Sequence, residues 1–158
     1  MTTGQVAGID PAPQVVSQDG RRRLDAVVVG TSDDPDLAIL EVQQFLVPTL
    51  AWADPSELVE GGQLVVLGTG GAGQDPAFTS VEIRSLVPPG AAVPRAIHAE
   101  GLGVGVAPGC PALTAEGRVA GVLTELVAAE GQPPVPLLLT HEHLGARAQM
   151  PGDWAEAG

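Results

Sequence analysis

Few side chains in this chain could act as nucleophile, proton carrier or metal ligand. The sequence holds one cysteine, Cys110, and three histidines, His98, His141 and His143, all in the C-terminal half. A thiolate is a good nucleophile, but it requires a base within hydrogen-bond reach. His98 is the histidine nearest to Cys110 in sequence. Proximity in sequence does not make His98 that base, so Cys110 as a nucleophile is one hypothesis, and a small buried cysteine is the favoured one.

The run His141-Glu142-His143 is the segment most like a metal site. Residues two apart on a helix point in different directions, and on a strand the two imidazoles would converge but lack a third ligand. The start of a solvated terminal helix is the favoured interpretation. The sequence predicts no metal.

The segment Gly68–Gly73 fits the pattern G-x-G-x-x-G. A dinucleotide site requires a helix directly after these glycines, because the helix N-terminus holds the pyrophosphate. Gln74-Asp75-Pro76 and an alternating strand follow instead. A turn between two strands is favoured, and no cofactor is predicted.

Charge and composition exclude several partners. The net charge is −12, and all basic residues are arginine. So acidic a chain repels nucleic acid and anionic membranes, and it has no apolar run long enough to span a bilayer. Met1–Ala12 lacks the basic and apolar regions of a signal peptide, so we expect a cytoplasmic protein.

Short apolar runs separated by glycine and proline predict an all-β fold. Asp19-Gly20 is a hairpin signal, and Thr140–Gln149 is predicted to form a short C-terminal helix. The predicted strands are Gln14–Ser17, Arg23–Val29, Ala38–Val42, Gln63–Leu67, Thr79–Leu86, Ala96–His98, Arg118–Thr124 and Val135–Leu139.

Three segments, in this order, resemble trypsin-like serine proteases of the Do/HtrA type. The first is the hairpin Asp19-Gly20-Arg21, which leads through a strand ending at Gly30 to Asp36-Leu37-Ala38-Ile39-Leu40. The second is Gly61–Gly68 with Thr79–Leu86, and the third is Pro108–Leu113 with Gly117–Val122.

The resemblance implies a trypsin-like double β-barrel in which the N-terminal barrel is incomplete. Residues 1–57 would form the partial N-terminal barrel, residues 58–146 the C-terminal barrel with the short helix, and residues 147–158 a tail. About three strands of the family's N-terminal barrel have no counterpart here. Either the barrel is reduced, or another chain supplies the missing strands; such a chain is a predicted partner, because open strand edges favour association.

The resemblance also implies catalytic positions, and most are changed. Asp36 matches the aspartate that orients the catalytic histidine, but no histidine lies upstream of the Asp19-Gly20-Arg21 hairpin. Gly109 stands at the serine position, and Cys110 and Pro111 replace the next two glycines. Pro111 also removes a backbone N–H near the turn that shapes the oxyanion hole. The chain is thus expected to be catalytically degenerate.

Three functions remain open at this point. The favoured one is a non-catalytic module for peptide binding or assembly, which would bind an extended peptide by strand addition. The alternatives are an endopeptidase with Cys110 as its nucleophile, and one piece of a split protease-like protein. The residues predicted to bind the peptide are Ala96, Ile97, His98, Ala99, Glu100, Gly109 and Pro111.

Overall fold

The computed structural model describes residues 12–17, 19–33, 36–42, 49–68, 75–86, 96–102, 106–126 and 135–140. Within these ranges the chain forms a three-stranded sheet and a closed six-stranded barrel. The strands are β1 (Gln14–Val16), β2 (Arg23–Asp33), β3 (Asp36–Val42), β4 (Gln63–Gly68), β5 (Ala77–Ser85), β6 (Ala96–Glu100), β7 (Pro111–Leu113), β8 (Val119–Leu126) and β9 (Val135–Leu139).

Strands β1, β2 and β3 form an antiparallel meander in that order. Gly20 adopts a φ of 69° in the turn between β1 and β2, a conformation that glycine reaches without strain. The ladder between β2 and β3 runs to the pair Asp33 and Asp36, so a two-residue connection joins these strands. A bulge between Val28 and Gly30 shifts the register within this ladder.

Alternation gives this sheet one apolar face. Ala26 and Ala38 on that face are buried, whereas most of its larger side chains are only half-buried. The cross-strand register assigns to it Val15 from β1, Leu24, Ala26 and Val28 from β2, and Ala38, Leu40 and Val42 from β3.

The barrel has the cyclic strand order β4-β5-β6-β9-β8-β7. Closure removes the unpaired edges that an open sheet would expose. Its interior is apolar, and each fully buried large aliphatic side chain contributes about 1.5–3 kcal/mol to stability. The core includes Leu64, Val66, Val81, Ile83, Ile97, Ala99, Cys110, Ala112, Ala120, Leu123 and Leu138.

A connecting segment leads from the sheet into the barrel. Its backbone runs parallel to the start of β8, with hydrogen bonds from Ala53 N to Val119 O (2.9 Å) and from Val119 N to Ala51 O (2.8 Å). Asp54 caps the 3-10 turn Pro55–Glu57 by accepting from the backbone N of Ser56 at 2.8 Å. Ala53 and the following Leu58 both belong to the barrel core.

The all-β fold is confirmed, and all eight predicted strands are present with small shifts at their ends. Strand β7 was not predicted. Thr140 is not helical, and the rest of the predicted terminal helix, like the predicted tail, lies outside the described residues. So does the glycine-rich segment after Gly68. No helix in the described ranges is long and apolar enough to cross a bilayer. The proposed boundaries at residues 57/58 and 146/147 stay predictions.

Candidate functional site

The turn before β7 carries the residues matched to the catalytic serine and its neighbours. Pro108 and Gly109 form the turn, and Cys110 N donates to Ala107 O at 3.1 Å. Gly109 N donates to Leu123 O, and Leu123 N donates to Cys110 O, both at 2.8 Å. These two bonds continue the β7–β8 ladder backwards into the turn. The turn is therefore docked on β8.

Gly109 adopts a φ of 92°. Residues with a Cβ rarely occupy this region, so the conformation suits the glycine and would strain a serine. An oxyanion hole requires a backbone N–H that is free to point at the reacting oxygen. The N–H of Gly109 is instead bonded to Leu123 O, and that of Cys110 to Ala107 O. Neither donor is available to a substrate in this conformation.

The thiol of Cys110 lies inside the barrel. The residue is 4% exposed and belongs to the core cluster together with Ala112 and Leu123. It forms no disulfide. A peptide bond outside the barrel could reach this sulfur only if the turn moved away from β8. The position thus has the surroundings of a structural cysteine.

The other matched position, Asp36, opens β3 in the three-stranded sheet, opposite Asp33. Strand β3 approaches β8, the strand on which the Gly109 turn is docked. His98 lies on β6 of the barrel, and the described part of the sheet contains no histidine. His141 and His143 lie outside the described residues. The described chain therefore offers no histidine in the sheet that holds Asp36.

Strand β6 contains five of the seven residues predicted to bind peptide. It pairs with β5 on one side and with β9 on the other, and His98 has a partner in both ladders. Ala96, Ile97 and Ala99 are buried, whereas His98 is half-buried and Glu100 is exposed. A peptide could not add as a strand at His98. It could contact β6 there only through outward-facing side chains.

Glu100 is itself engaged in an ion pair on the barrel surface. Arg84 Nε lies 2.6 Å from Glu100 Oε2, and Arg84 Nη1 lies 3.5 Å from Glu82 Oε1. The hydrogen bond and charge of Glu100, with a further contribution from Glu82, raise the pKa of the Arg84 guanidinium. A peptide that used Glu100 would have to compete with Arg84.

The structure also reveals a row of residues that the sequence did not indicate, on the side of the strands opposite the core residues Ile97, Leu123 and Leu138; Leu137 and Thr124 in this row are nevertheless fully buried. Cross-strand pairing places Ser85, His98, Leu137 and Thr124 side by side on β5, β6, β9 and β8. The Oγ of Ser85 and the Oγ1 of Thr124 are buried and have no hydrogen-bond partner. The bulge at Arg84 sets this register, and no sequence pattern predicted the bulge.

No group of three histidine, cysteine, aspartate or glutamate side chains within the described ranges is arranged to hold a metal ion.

Comparison with known proteins identifies the family of the chain and the solved structures that share its fold. The family model described as "Trypsin-like peptidase domain" matches residues 1–122. No curated protein matches the chain. Among solved structures, the MamO protease domain from Magnetospirillum magneticum (apo form) superimposes with a TM-score of 0.64 at 20% identity, over 94% of this chain and 82% of that one. That degree of identity establishes a shared fold.

A second solved structure is Rv3671c from M. tuberculosis H37Rv, as an inactive serine-to-alanine mutant. It matches with a TM-score of 0.64 and 25% identity, over 92% of this chain and 72% of that one.

Proposed function

The chain belongs to the trypsin-like peptidase domain family, and we propose that it is a non-catalytic member that binds extended protein segments, because the sequence resemblance puts Gly109 at the position of the serine. Within the family we assign it to the Do/HtrA type on the three segments described above.

One observation carries the non-catalytic part: the conformation of Gly109. The residue has no hydroxyl, its φ is 92°, and its N–H is bonded to Leu123 O at 2.8 Å. Attack on a peptide bond and stabilisation of the resulting oxyanion would both be lost. Removing a single oxyanion donor costs about 10²–10³ in rate, and removing a member of the catalytic triad costs more.

The binding part rests on the open three-stranded sheet. Within the described residues β1 and β3 each pair with β2 alone, so each has one edge without a strand partner. Edges of this kind recruit further strands, and an extended segment that adds there gains main-chain hydrogen bonds without any catalytic group. A second chain that completes this half of the molecule, as in a split protease-like protein, is one form that such a partner could take.

A peptidase assay directly tests the proposal that the chain is non-catalytic. We expect the purified chain to cleave neither unfolded casein nor a fluorogenic peptide library above the buffer control. The Cys110→Ala variant should behave identically, because the thiol is buried in the core. Thermal unfolding of both proteins verifies that they are folded.

Turnover that disappears in Cys110→Ala would overturn the proposal in favour of the cysteine endopeptidase. Turnover that survives in Cys110→Ala would also overturn it, and would point to a nucleophile other than those considered above.

A further inference from the structure

The outer edge of β1 has unpaired main-chain groups at defined positions. Ser17 N donates to Arg22 O, and Ala26 N donates to Pro13 O, both at 2.9 Å. Odd-numbered residues of this segment therefore bond inward to β2. Because inward and outward groups alternate along an antiparallel strand, the N–H and C=O groups of Gln14 and Val16 point outward. No described strand pairs with this edge.

A cluster of exposed arginines lies next to this edge. Arg21, Arg22 and Arg23 follow the hairpin turn and are all exposed, although the chain as a whole has a net charge of −12. Arg21 is paired with Asp19, whose pKa is lowered first by the hydroxyl of Ser17 and then by the backbone N–H of Arg21. The charge of Arg22 also contributes to the lowered pKa of Asp19, whereas Arg23 forms no salt bridge with a described residue.

The carboxylate on β2 nearest to Arg23 in sequence, that of Asp25, also has a hydrogen-bond partner. Asp25 accepts a hydrogen bond from Gln14 Nε2 at 2.8 Å. Three of the few large apolar side chains that are exposed lie on the same sheet, namely Val15 (37%), Val16 (45%) and Val27 (61%). Val15 adds apolar contact area on the face of Leu24, whereas Val16 and Val27 lie on the opposite face with Arg23. The edge thus combines free main-chain groups, an apolar face and one arginine, Arg23, that forms no salt bridge with a described residue.

The two faces of the sheet specify the sequence of a strand that would add to β1. On one face such a strand would extend the apolar surface of Val15 and Leu24. On the other face it would lie beside Val16, which is directly opposite Arg23. Side chains of an extended segment alternate between the two faces.

We propose that the outer edge of β1 binds an extended segment of a partner protein in which apolar and acidic residues alternate. The apolar side chains lie over Val15 and Leu24, and the acidic ones lie beside Val16 on the other face, where they approach Arg23. This inference rests on the proposed binding function and assigns its site and partner chemistry. Main-chain hydrogen bonds supply affinity, and Arg23 selects against basic segments.

The test is fluorescence anisotropy of labelled ten-residue peptides with the full chain. One peptide alternates valine or threonine with glutamate, a second has lysine in place of each glutamate, and a third has the residues of the first with its glutamates contiguous. We expect saturable binding of the first alone. Its affinity should fall as salt is raised, because the charges at this edge are exposed.

Three variants locate the site. Val16→Pro removes an outward N–H from an edge strand and should weaken binding about tenfold or more. Arg23→Gln should weaken it about twofold, as expected for one exposed ion pair. Arg118→Gln is the matched control. It removes the same charge from a distant ion pair with Glu57 and should leave peptide affinity unchanged.

The outcomes separate this inference from the proposed function. Equal affinity in all variants would put the peptide elsewhere and overturn the β1 site, while the binding function would stand. Binding of the lysine peptide alone would likewise overturn the acidic partner. If none of the peptides and no denatured protein binds, both proposals fail. Self-association that Val16→Pro abolishes would make a second copy of this chain the occupant and overturn the partner assigned above.

Discussion

At the scale of single residues, two properties of Gly109 have to be distinguished: its residue type, and the conformation and hydrogen bonding of its backbone. The sequence motif alone predicts that Gly109 stands at the serine position. Its φ of 92° and the bond of its N–H to Leu123 could not, because both depend on how the turn docks on a strand formed later in the chain. The burial of Cys110 has the same origin. Sequence analysis therefore left the cysteine open as a nucleophile, and the structure places it in the core.

The backbone at this turn makes a sharp prediction. Replacing Gly109 by serine should restore no activity and should lower the free energy of unfolding by roughly 1–2 kcal/mol, the cost of holding a residue with a Cβ at positive φ. Urea unfolding measures the loss, and the peptide library measures activity.

Gly30→Ser provides the matched control for this change. A Cβ at Gly30 would meet only Ile39, at the ordinary contact distance of 3.8 Å, and its φ is not positive. Recovery of cleavage in Gly109→Ser, or equal stability of the two serine variants, would contradict our interpretation of the turn.

At the scale of secondary structure, the strands that alternate or form continuous apolar runs were predicted, and the short or irregular features were not. In β5, Val81 and Ile83 are buried while Arg84 is exposed, as the alternation indicated. Strand β7 has three residues and begins with a proline, so it is too short to show a period. The bulge at Arg84 and the closure of β6 on both sides depend on pairing between distant segments, which no local pattern records.

The β8–β9 contact provides the prediction at this scale. A Cβ added at Gly121 would lie 2.9 Å from Leu139 O and 3.0 Å from Leu138 Cβ, which is closer than real side chains approach. Gly121→Ala should therefore destabilise the protein by about 1–3 kcal/mol through overpacking.

Gly30→Ala, a strand glycine with room for a methyl group, is the control for Gly121→Ala and should be nearly neutral. Denaturant midpoints compare the two variants. A neutral Gly121→Ala would show that β8 and β9 can separate at no cost, contrary to their close approach.

At the scale of the whole molecule, the two parts of the fold differ in how completely they are closed. The barrel has a fully buried interior and no free edge, whereas the sheet has half-buried apolar side chains and two edges without described partners. The all-β class and the resemblance to a protease were accessible from sequence. The sequence only implied that the sheet is less completely closed than the barrel, because about three strands of the family's N-terminal barrel had no counterpart in it.

Amide hydrogen exchange should follow this difference. Amides inside the barrel ladders, such as those of Val66 and Leu138, should exchange only through global unfolding. The outward N–H of Val16 should exchange within the dead time of the experiment, and the inward N–H of its neighbour Val15 should exchange more slowly. Uniform protection across β1, or protection in the barrel no greater than in the sheet, would contradict the contrast between the closed barrel and the open edges of the sheet in the described part of the chain.

The closure of the barrel has a consequence for how such a gene changes over time. The barrel closes where β4 pairs with β7 through Val65–Leu113 and Val66–Ala112, and we call this pairing the seam. The Gly109 turn directly precedes β7 and so positions it for this pairing. A mutation that removes the reactive side chain leaves the seam intact, whereas one that lengthens the turn or enlarges Ala112 would split the barrel. Natural selection on folding alone would therefore preserve the turn's length and small residues long after hydrolysis had ceased. An ancestral motif can persist in this way because it holds the barrel closed.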